Sequence, residues 1–425
     1  MAIEYKCENC AASLRFDVDS NMLVCDYCGS EFAVDYAENS MGKDSGNDEI
    51  IVSDNENWKE DYERNSDDDF VKMEIKQRTC PSCGGILLGD DVSMATFCAY
   101  CGNATLTETV VADIRTPEYI IPFKNTKEEA QKAFTEWGKK GFITPSDFTS
   151  KSTIEKITGI YVPFYLYSCK STCDYTAKAE KKYNKRFLGK EYEITEHFNV
   201  RRNITDKFND IPADASEKMS DETMDLLEPF NMDELEEFKK AYMSGFLADK
   251  YSFTDKEMVE RVAQRVIQFS KDSAFDHING YDTVIPTGSK VDVVWNKTKY
   301  CMLPVWILNY NYNGKNFEFA MNGQTGKVVG TRPISTGKSI LLFILWFLPS
   351  WLVISVIAFF FSGVASPLIG FIAALAIALI ALFSSRKKQK TSMTTSGNNY
   401  KICDTVVNKA SDVFIKKTRR VIDER

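Results

Sequence analysis

The chain contains 425 residues, 60 acidic against 52 basic, for a net charge of −8, and 44% of its residues are apolar. That balance excludes a protein whose whole surface wraps a phosphate backbone, although a local basic patch stays open, and the length accommodates more than one soluble domain. Twelve cysteines stand against two histidines, His197 and His277, which lie in no Ser, Cys or Asp constellation, so the composition points away from acid–base catalysis and towards metal.

In chain order, the first motif is Cys7-Glu8-Asn9-Cys10, followed after fourteen residues by Cys25-Asp26-Tyr27-Cys28-Gly29. Each C-x2-C pair turns tightly enough for both thiolates to reach one ion, and two pairs close a tetrahedral four-sulfur site suited to Zn²⁺, with rubredoxin-like iron as the rival. Between the pairs, Leu14, Phe16 and Val18 alternate like a short strand that resumes at Met22 to Val24. The next stretch is rich in Asp, Glu, Asn and Ser, with an isolated Trp58. Its composition predicts an acidic disordered tether, the alternative being a peptide that docks through Trp58 and Tyr62. The ribbon spacing then repeats. Cys80-Pro81-Ser82-Cys83 is followed after fourteen residues by Cys98-Ala99-Tyr100-Cys101-Gly102. The equal interval and the shared Cys-x-Tyr-Cys-Gly predict a duplicated structural site with every coordination position filled by sulfur, leaving no opening for hydrolytic chemistry.

From Ile114 the pattern becomes globular. Thr126 and Glu129 form a capping box for a helix with Ala130, Ala133, Phe134 and Trp137 on one face, and Gly141 ends it. Ile160 to Tyr167 reads as a buried strand containing Pro163, and a β-ribbon follows in which Tyr192, Ile194, Phe198 and Val200 share a face. A second pass begins with the capping box of Thr254 and Glu257, a helix bearing Val259, Val262, Ala263 and Val266, and the strand Cys301 to Leu308 around Pro304. This predicts an internal repeat. Asn313-Gly314 marks a hairpin, and Asn322-Gly323-Gln324-Thr325-Gly326 reads as a turn, not a phosphate loop, because no helix follows it. Cys169 and Cys173 read as buried reduced thiols. Lys178, Lys181, Lys182, Lys185, Arg186 and Lys190 form a basic hairpin, either solvated or in contact with anionic lipid or an acidic partner such as the chain's own tether.

Ser339 to Phe361 and Val364 to Phe383 contain no Asp, Glu, Lys, Arg or His. At about 1.5 Å per residue each run is long enough for a hydrocarbon core of about 30 Å, so a transmembrane hairpin is expected. Lys338 precedes the first run, and Arg386, Lys387, Lys388 and Lys390 follow the second, placing both termini in the cytoplasm by the positive-inside bias. The spans hold no ionisable group for transport, whereas Gly370, Ala374, Ala378 and Ala381 line up for close helix packing; an anchor is expected, not a channel.

The tandem knuckles, Tyr161-Val162-Pro163-Phe164-Tyr165, Leu303-Pro304-Val305-Trp306, Ser244-Gly245-Phe246-Leu247-Ala248 and Phe319 to Lys327 together resemble the bacterial membrane-anchored TFIIB-type zinc-ribbon-containing family, over most of residues 80–383. Relatives in that family are often encoded beside PspA-like proteins and flotillin-like SPFH-domain proteins, and the resemblance implies a role in placing such assemblies at the membrane.

The expected architecture is α+β: a first zinc ribbon (1–34), an acidic disordered linker (35–76), a second zinc ribbon (77–112), an α+β domain with an internal repeat of helix and antiparallel sheet (113–337), a transmembrane helical hairpin (338–384) and a basic cytoplasmic tail (385–425). Two structural Zn²⁺ ions are expected, on Cys7, Cys10, Cys25 and Cys28 and on Cys80, Cys83, Cys98 and Cys101, with no catalytic residue. The function expected is a membrane scaffold for protein partners. The alternatives are nucleic-acid binding by the ribbons, against which the acids around Lys6 and Arg15 count, and an enzyme with a site between the β repeats.

Overall fold

The computed structural model describes residues 5–7, 12–27, 31–32, 34, 71–89, 98–103, 109–187, 190–296, 298–362, 367–387 and 397–424. Cys10, Cys28, Trp58, Tyr62 and the greater part of the acidic linker lie outside them. The first ribbon is a small antiparallel sheet of β1 (Arg15–Asp17), β2 (Met22–Val24) and β3 (Glu31–Phe32). Leu14, Phe16 and Leu23 are buried, following the expected alternation. Thirteen further strands, β4 to β16, join in one hydrogen-bonded sheet. The first of them, β4 (Lys72–Thr79), begins inside the stretch expected as linker. Met73 and Ile75 alternate inward between Lys72, Glu74 and Lys76, and that alternation suffices for pairing with β5 (Ile86–Gly89) and β6 (Val110–Arg115).

The remaining body has two halves that exchange strands. Its first half runs β7 (Tyr119–Ile120), α1 (Lys127–Lys139), the single turn α2 (Lys151–Ile154), β8 (Thr158–Phe187) and β9 (Lys190–Asp214). After α3 (Asp221–Leu227) and β10 (Glu236–Glu237), the second half runs β11 (Leu247–Asp249), α4 (Asp255–Asp276), β12 (Thr283–Trp295), β13 (Lys299–Tyr312), β14 (Lys315–Asn322) and β15 (Val328–Gly330). Both helices carry complete capping boxes, at Thr126 with Glu129 and at Thr254 with Glu257.

β8 and β13 pair antiparallel at the centre, and each holds its proline where the neighbour on its outer side changes. β8 pairs in parallel with β11 at Ile160 and Tyr161, then with β9 from Phe164, and Pro163 falls in between. β13 pairs in parallel with β7 at Cys301 and Met302, then with β14 from Val305, and Pro304 falls in between. A proline has no N–H to offer a ladder, so the gap between two partners is the place that tolerates it. Each half thus lends its first short strand to the long strand of the other.

The turn at Asn322 is structural, as its residues suggested. Asn322 is buried; its side-chain amide donates to the carbonyls of Leu227 (3.1 Å) and Pro229 (3.4 Å), and its side-chain oxygen accepts from the N–H of Gln324 (2.9 Å) and Thr325 (3.0 Å). Gly323 has no space for a side chain: a Cβ there would meet the Phe123 ring at 2.7 Å. His197 pairs across the strands with Glu180 at 3.2 Å, and His277 caps α4. Cys169 and Cys173 are free thiols that burial pushes up to about 12 and about 11.

Two apolar helices follow, α5 (Thr336–Ser362) and α6 (Pro367–Lys387). One helical segment among the described residues, Thr336–Ile357, is long and apolar enough to cross a membrane; that of α6, Gly370–Arg386, is shorter. They pack on each other through Gly370, where a Cβ would lie 2.7 Å from Ser355 Oγ, and through buried Ala374 and Ala378, while Phe347 meets Phe371 at 5.3 Å.

The described part of the stretch expected as a basic cytoplasmic tail, residues 397–424, is joined to the sheet. Tyr400 enters the body, and β16 (Val406–Glu424) pairs with β9 from Lys190 to Thr205. On its other flank β9 places Glu196 and Glu191 opposite Lys181 and Arg186, an opposite-charge register. The basic hairpin is therefore one edge of a ribbon whose middle strand is acidic.

Tyr400 Oη and the Arg265 guanidinium both donate to Glu228 Oε2 inside the body. Burial pushes the Glu228 carboxyl up to about 7 despite Arg265. The folded chain thus holds a proton that an unfolded glutamate, with its ordinary value of 4.5, releases, so the stability contributed here is lost as pH rises from 4.5 towards 7. Thermal unfolding of Glu228→Gln in detergent should show that part of the pH profile flattened; an unchanged profile would place the pH dependence elsewhere. At the joint of the two halves, Phe246 stacks on Phe123 at 4.1 Å. Phe246→Ala should cost about 3–5 kcal/mol of stability, read as a lower denaturation midpoint, and a midpoint within error of the parent would refute the joint's importance.

Candidate metal centre

Two backbone knuckles of the same form build the site. In the first, the Cys80 N–H donates to the Gly85 carbonyl (2.9 Å) and the Gly84 N–H to the Cys80 carbonyl (2.8 Å). In the second, the Cys98 N–H donates to the Asn103 carbonyl (2.7 Å) and the Gly102 N–H to the Cys98 carbonyl (2.8 Å). Gly84 and Gly102 hold φ of 71° and 73°, a conformation that glycine adopts without a Cβ clash.

Cys80, Cys83, Cys98 and Cys101 are thereby brought together, all four sulfurs within 4.8 Å of one another. Cys80 Sγ lies 3.6 Å from Cys101 Sγ, and Cys83 Sγ lies 3.7 Å from Cys98 Sγ. A tetrahedron with arms of about 2.3 Å, the usual Zn–S distance, has edges of about 3.8 Å, so the donor set fits a four-thiolate metal ion. Cys80 and Cys98 are buried, and Cys83 and Cys101 are half-buried. Burial pushes the Cys98 thiol well up; at Cys80 the same burial is outweighed by the amides of Cys83 and Ser82, which bring the thiol down to about 7. Those amides stabilise a thiolate, the form that binds metal.

The ribbon is built into the sheet. β5 pairs with β11 through Leu87 opposite Asp249 and Leu88 opposite Ala248, and Asn309 on β13 donates to the Ala99 carbonyl at 3.1 Å. Tyr100, in the second knuckle, is buried beside Asp249, and Gly85 makes room for it, since a Cβ there would meet the ring at 2.5 Å. Asp249 accepts from Ser216 Oγ and from the Lys250 N–H (2.9 Å), and burial pushes its carboxyl up to about 6.

Of the first set, Cys7 and Cys25 are buried, with the Cys7 N–H donating to the Ala12 carbonyl at 2.8 Å. This ribbon rests on the segment just before β11: the Phe16 N–H donates to the Ser244 carbonyl (2.7 Å), Ser244 Oγ donates to the Leu14 carbonyl, and the Phe16 and Tyr242 rings meet at 5.2 Å. Gly245, at φ 88°, lets Arg15 approach. Sequence reasoning noticed Ser244 to Ala248 only as a family likeness and missed its role as the seat of both ribbons. The available signal was Gly245 before a short apolar run.

No family profile matches the chain, and no solved structure matches it. Over 338 residues it is 34% identical to the uncharacterized protein YdjG of Bacillus subtilis strain 168, a match that spans 80% of this chain and 92% of that protein.

Replacing both Cys80→Ser and Cys83→Ser should remove the metal held by this cluster, measured as one equivalent less bound zinc per chain. It should also speed amide exchange at Leu87 and Leu88 on β5; unchanged metal content would show that the cluster holds none.

Proposed function

The chain belongs to the same family as Bacillus subtilis YdjG, and from that premise we propose that it is a zinc-stabilised scaffold, held to the cytoplasmic face of the cell membrane by a two-helix hairpin, that gathers protein partners there. The observation that carries the anchoring is that the chain on both sides of α5 and α6 folds into one body. Before α5, the Ser335 N–H donates to the Ile143 carbonyl; after α6, Tyr400 and β16 dock on Glu228 and β9. Two segments in one folded sheet lie on the same side of a bilayer, so the helices between them cross it an even number of times. Lys338 and Arg386 flank the apolar stretch and favour the cytoplasmic side.

The metals are structural in this reading. Four sulfurs fill a tetrahedral ion and leave no position for water, and zinc suits such a site, with a second ion on Cys7, Cys10, Cys25 and Cys28. The duplicated knuckles differ in what they offer a partner: Tyr100 is 8% exposed and Tyr27, its counterpart, 85%. The second ribbon's knuckle is consumed by packing, whereas the first presents an aromatic side chain on a rigid loop, the kind of group that anchors protein interfaces. Arg15 is engaged by Asp17 (3.2 Å) and Asp26 (2.7 Å), which weakens the case for nucleic acid on this ribbon. The family resemblance suggests SPFH-type or PspA-type proteins as partners.

Crosslinking in membranes, with and without Tyr27→Ala, tests the recruiter. SPFH-type or PspA-type proteins should be captured, several-fold less with the variant; capture of nucleic-acid machinery, or a yield indifferent to Tyr27, would refute it. Topology is read at Cys403, which is exposed and free. A membrane-impermeant thiol reagent should label it in inverted vesicles and spare it in intact spheroplasts, and the reverse pattern would overturn the orientation.

A further inference from the structure

The end of α1 meets the root of α5. Its last turn carries Lys139, Lys140 follows, and then come Gly141 and Phe142. Phe142 is 56% exposed, although Ile143, Thr144 and Pro145 directly after it are buried. Three contacts tie this turn to the chain just before and within the first turn of α5. The Ser335 N–H donates to the Ile143 carbonyl at 2.8 Å, the Lys338 ammonium donates to the Thr144 carbonyl at 2.6 Å, and Arg332 Nη1 donates to the Trp137 carbonyl at 3.0 Å. Adjacent Cα atoms are about 3.8 Å apart, so Phe142 sits beside the start of the apolar helix. After Lys338 the sequence holds no charged residue until Arg386, and Ile340 and Leu341 are already exposed as lipid-facing residues would be.

We propose that the turn from Lys139 to Phe142 is a lipid-contact surface, with the Phe142 ring at headgroup depth and the ammonium groups of Lys139 and Lys140 against anionic lipid phosphates. The inference rests on the reading that α5 crosses the membrane. A single exposed phenylalanine is ordinary on a protein surface, and two lysines at a helix C-terminus complement its dipole. Here, however, the aromatic ring and the lysines sit together within a residue or two of hydrogen bonds to the membrane helix, where aromatic and basic side chains partition to the interface. Among the described residues neither lysine is in an ion pair. Of the acids near the turn, Glu136 is exposed and Asp147 accepts from Tyr310 Oη at 2.8 Å. The body is thus seated on the bilayer by α5 and by this turn, with no free tether between them.

The test uses the full chain in native membranes, with p-benzoylphenylalanine in place of Phe142, of Ile344 within α5, or of Lys127. Lys127 is exposed at the far end of α1, about 18 Å from Lys139 along the helix. After irradiation, lipid adducts are expected at Ile344 and at Phe142, the latter several-fold above Lys127. No lipid adduct at Ile344 would overturn the membrane reading itself. Lipid at Ile344 with Phe142 at or below the Lys127 level, or a protein adduct at Phe142, would overturn the lipid contact alone. In reconstituted vesicles, Lys139→Glu with Lys140→Glu should lower the Phe142 adduct several-fold when phosphatidylglycerol is present and leave it unchanged in zwitterionic lipid; equal yields in both lipids would refute the role of the lysines.

Discussion

The pairing of one short segment, Ser244 to Asp249, holds the parts of this molecule together. Leu247 and Ala248 run parallel to Ile160 and Tyr161 in the central strand, while the other edge of the segment pairs with Leu87 and Leu88 of the second ribbon. Ser244 and Gly245 receive the first ribbon, and Phe246 fills the space beneath Phe123 and Trp306. A strand this short has few hydrogen bonds of its own. Its stability comes from being enclosed on both edges and both faces, so ribbons and sheet stand or fall together.

That arrangement follows from the exchange of strands between the two halves. Because β11 pairs with β8 and β7 with β13, neither half closes without the other, and the two prolines mark where each long strand passes from one partner to the next. The two halves differ in what they carry. The second half receives the metal ribbon on its first strand and leads from β15 into the apolar helices, while the long strands of the first half extend as a ribbon that β12 and β16 widen. The cysteine cluster and the apolar helices are consequently both attached to the one sheet. The scaffold we propose would work by geometry: a bound metal would keep a loop in one shape, and an anchor would keep that loop at one place.

Burial, more than charge, sets the electrostatics of the interior. Asp214, Glu228 and Asp249 each have a charged or polar partner, and each is still pushed up, to about 6, about 7 and about 6, because desolvation outweighs the partner. Two of the three serve the joints between segments: Asp249 lies under the second knuckle, and Glu228 receives Tyr400 from the far side of the apolar helices.

Much of this was legible from short-range pattern. Cysteine spacing, the capping boxes at Thr126 and Thr254, the turns at Asn313 and Asn322 and the apolar run after Lys338 each depend on residues within a few positions of one another, and local geometry decides them. The two proline-centred strands were legible, but the exchange of β7 and β11 was not, since strand partners are chosen across long stretches of chain by which edges remain open. β4 was hidden in an acidic stretch because its two inward residues gain their value only when β6 is beside it. β16 was hidden because its partner strand, β9, lies about two hundred positions earlier in the chain. The two knuckle tyrosines make the same point at a single residue. Their sequence context is alike, so sequence alone determined that each sits in a Cys-x-Tyr-Cys-Gly motif; only the tertiary structure decided that Tyr100 is packed under the sheet and Tyr27 faces solvent, because burial depends on what the rest of the chain places alongside.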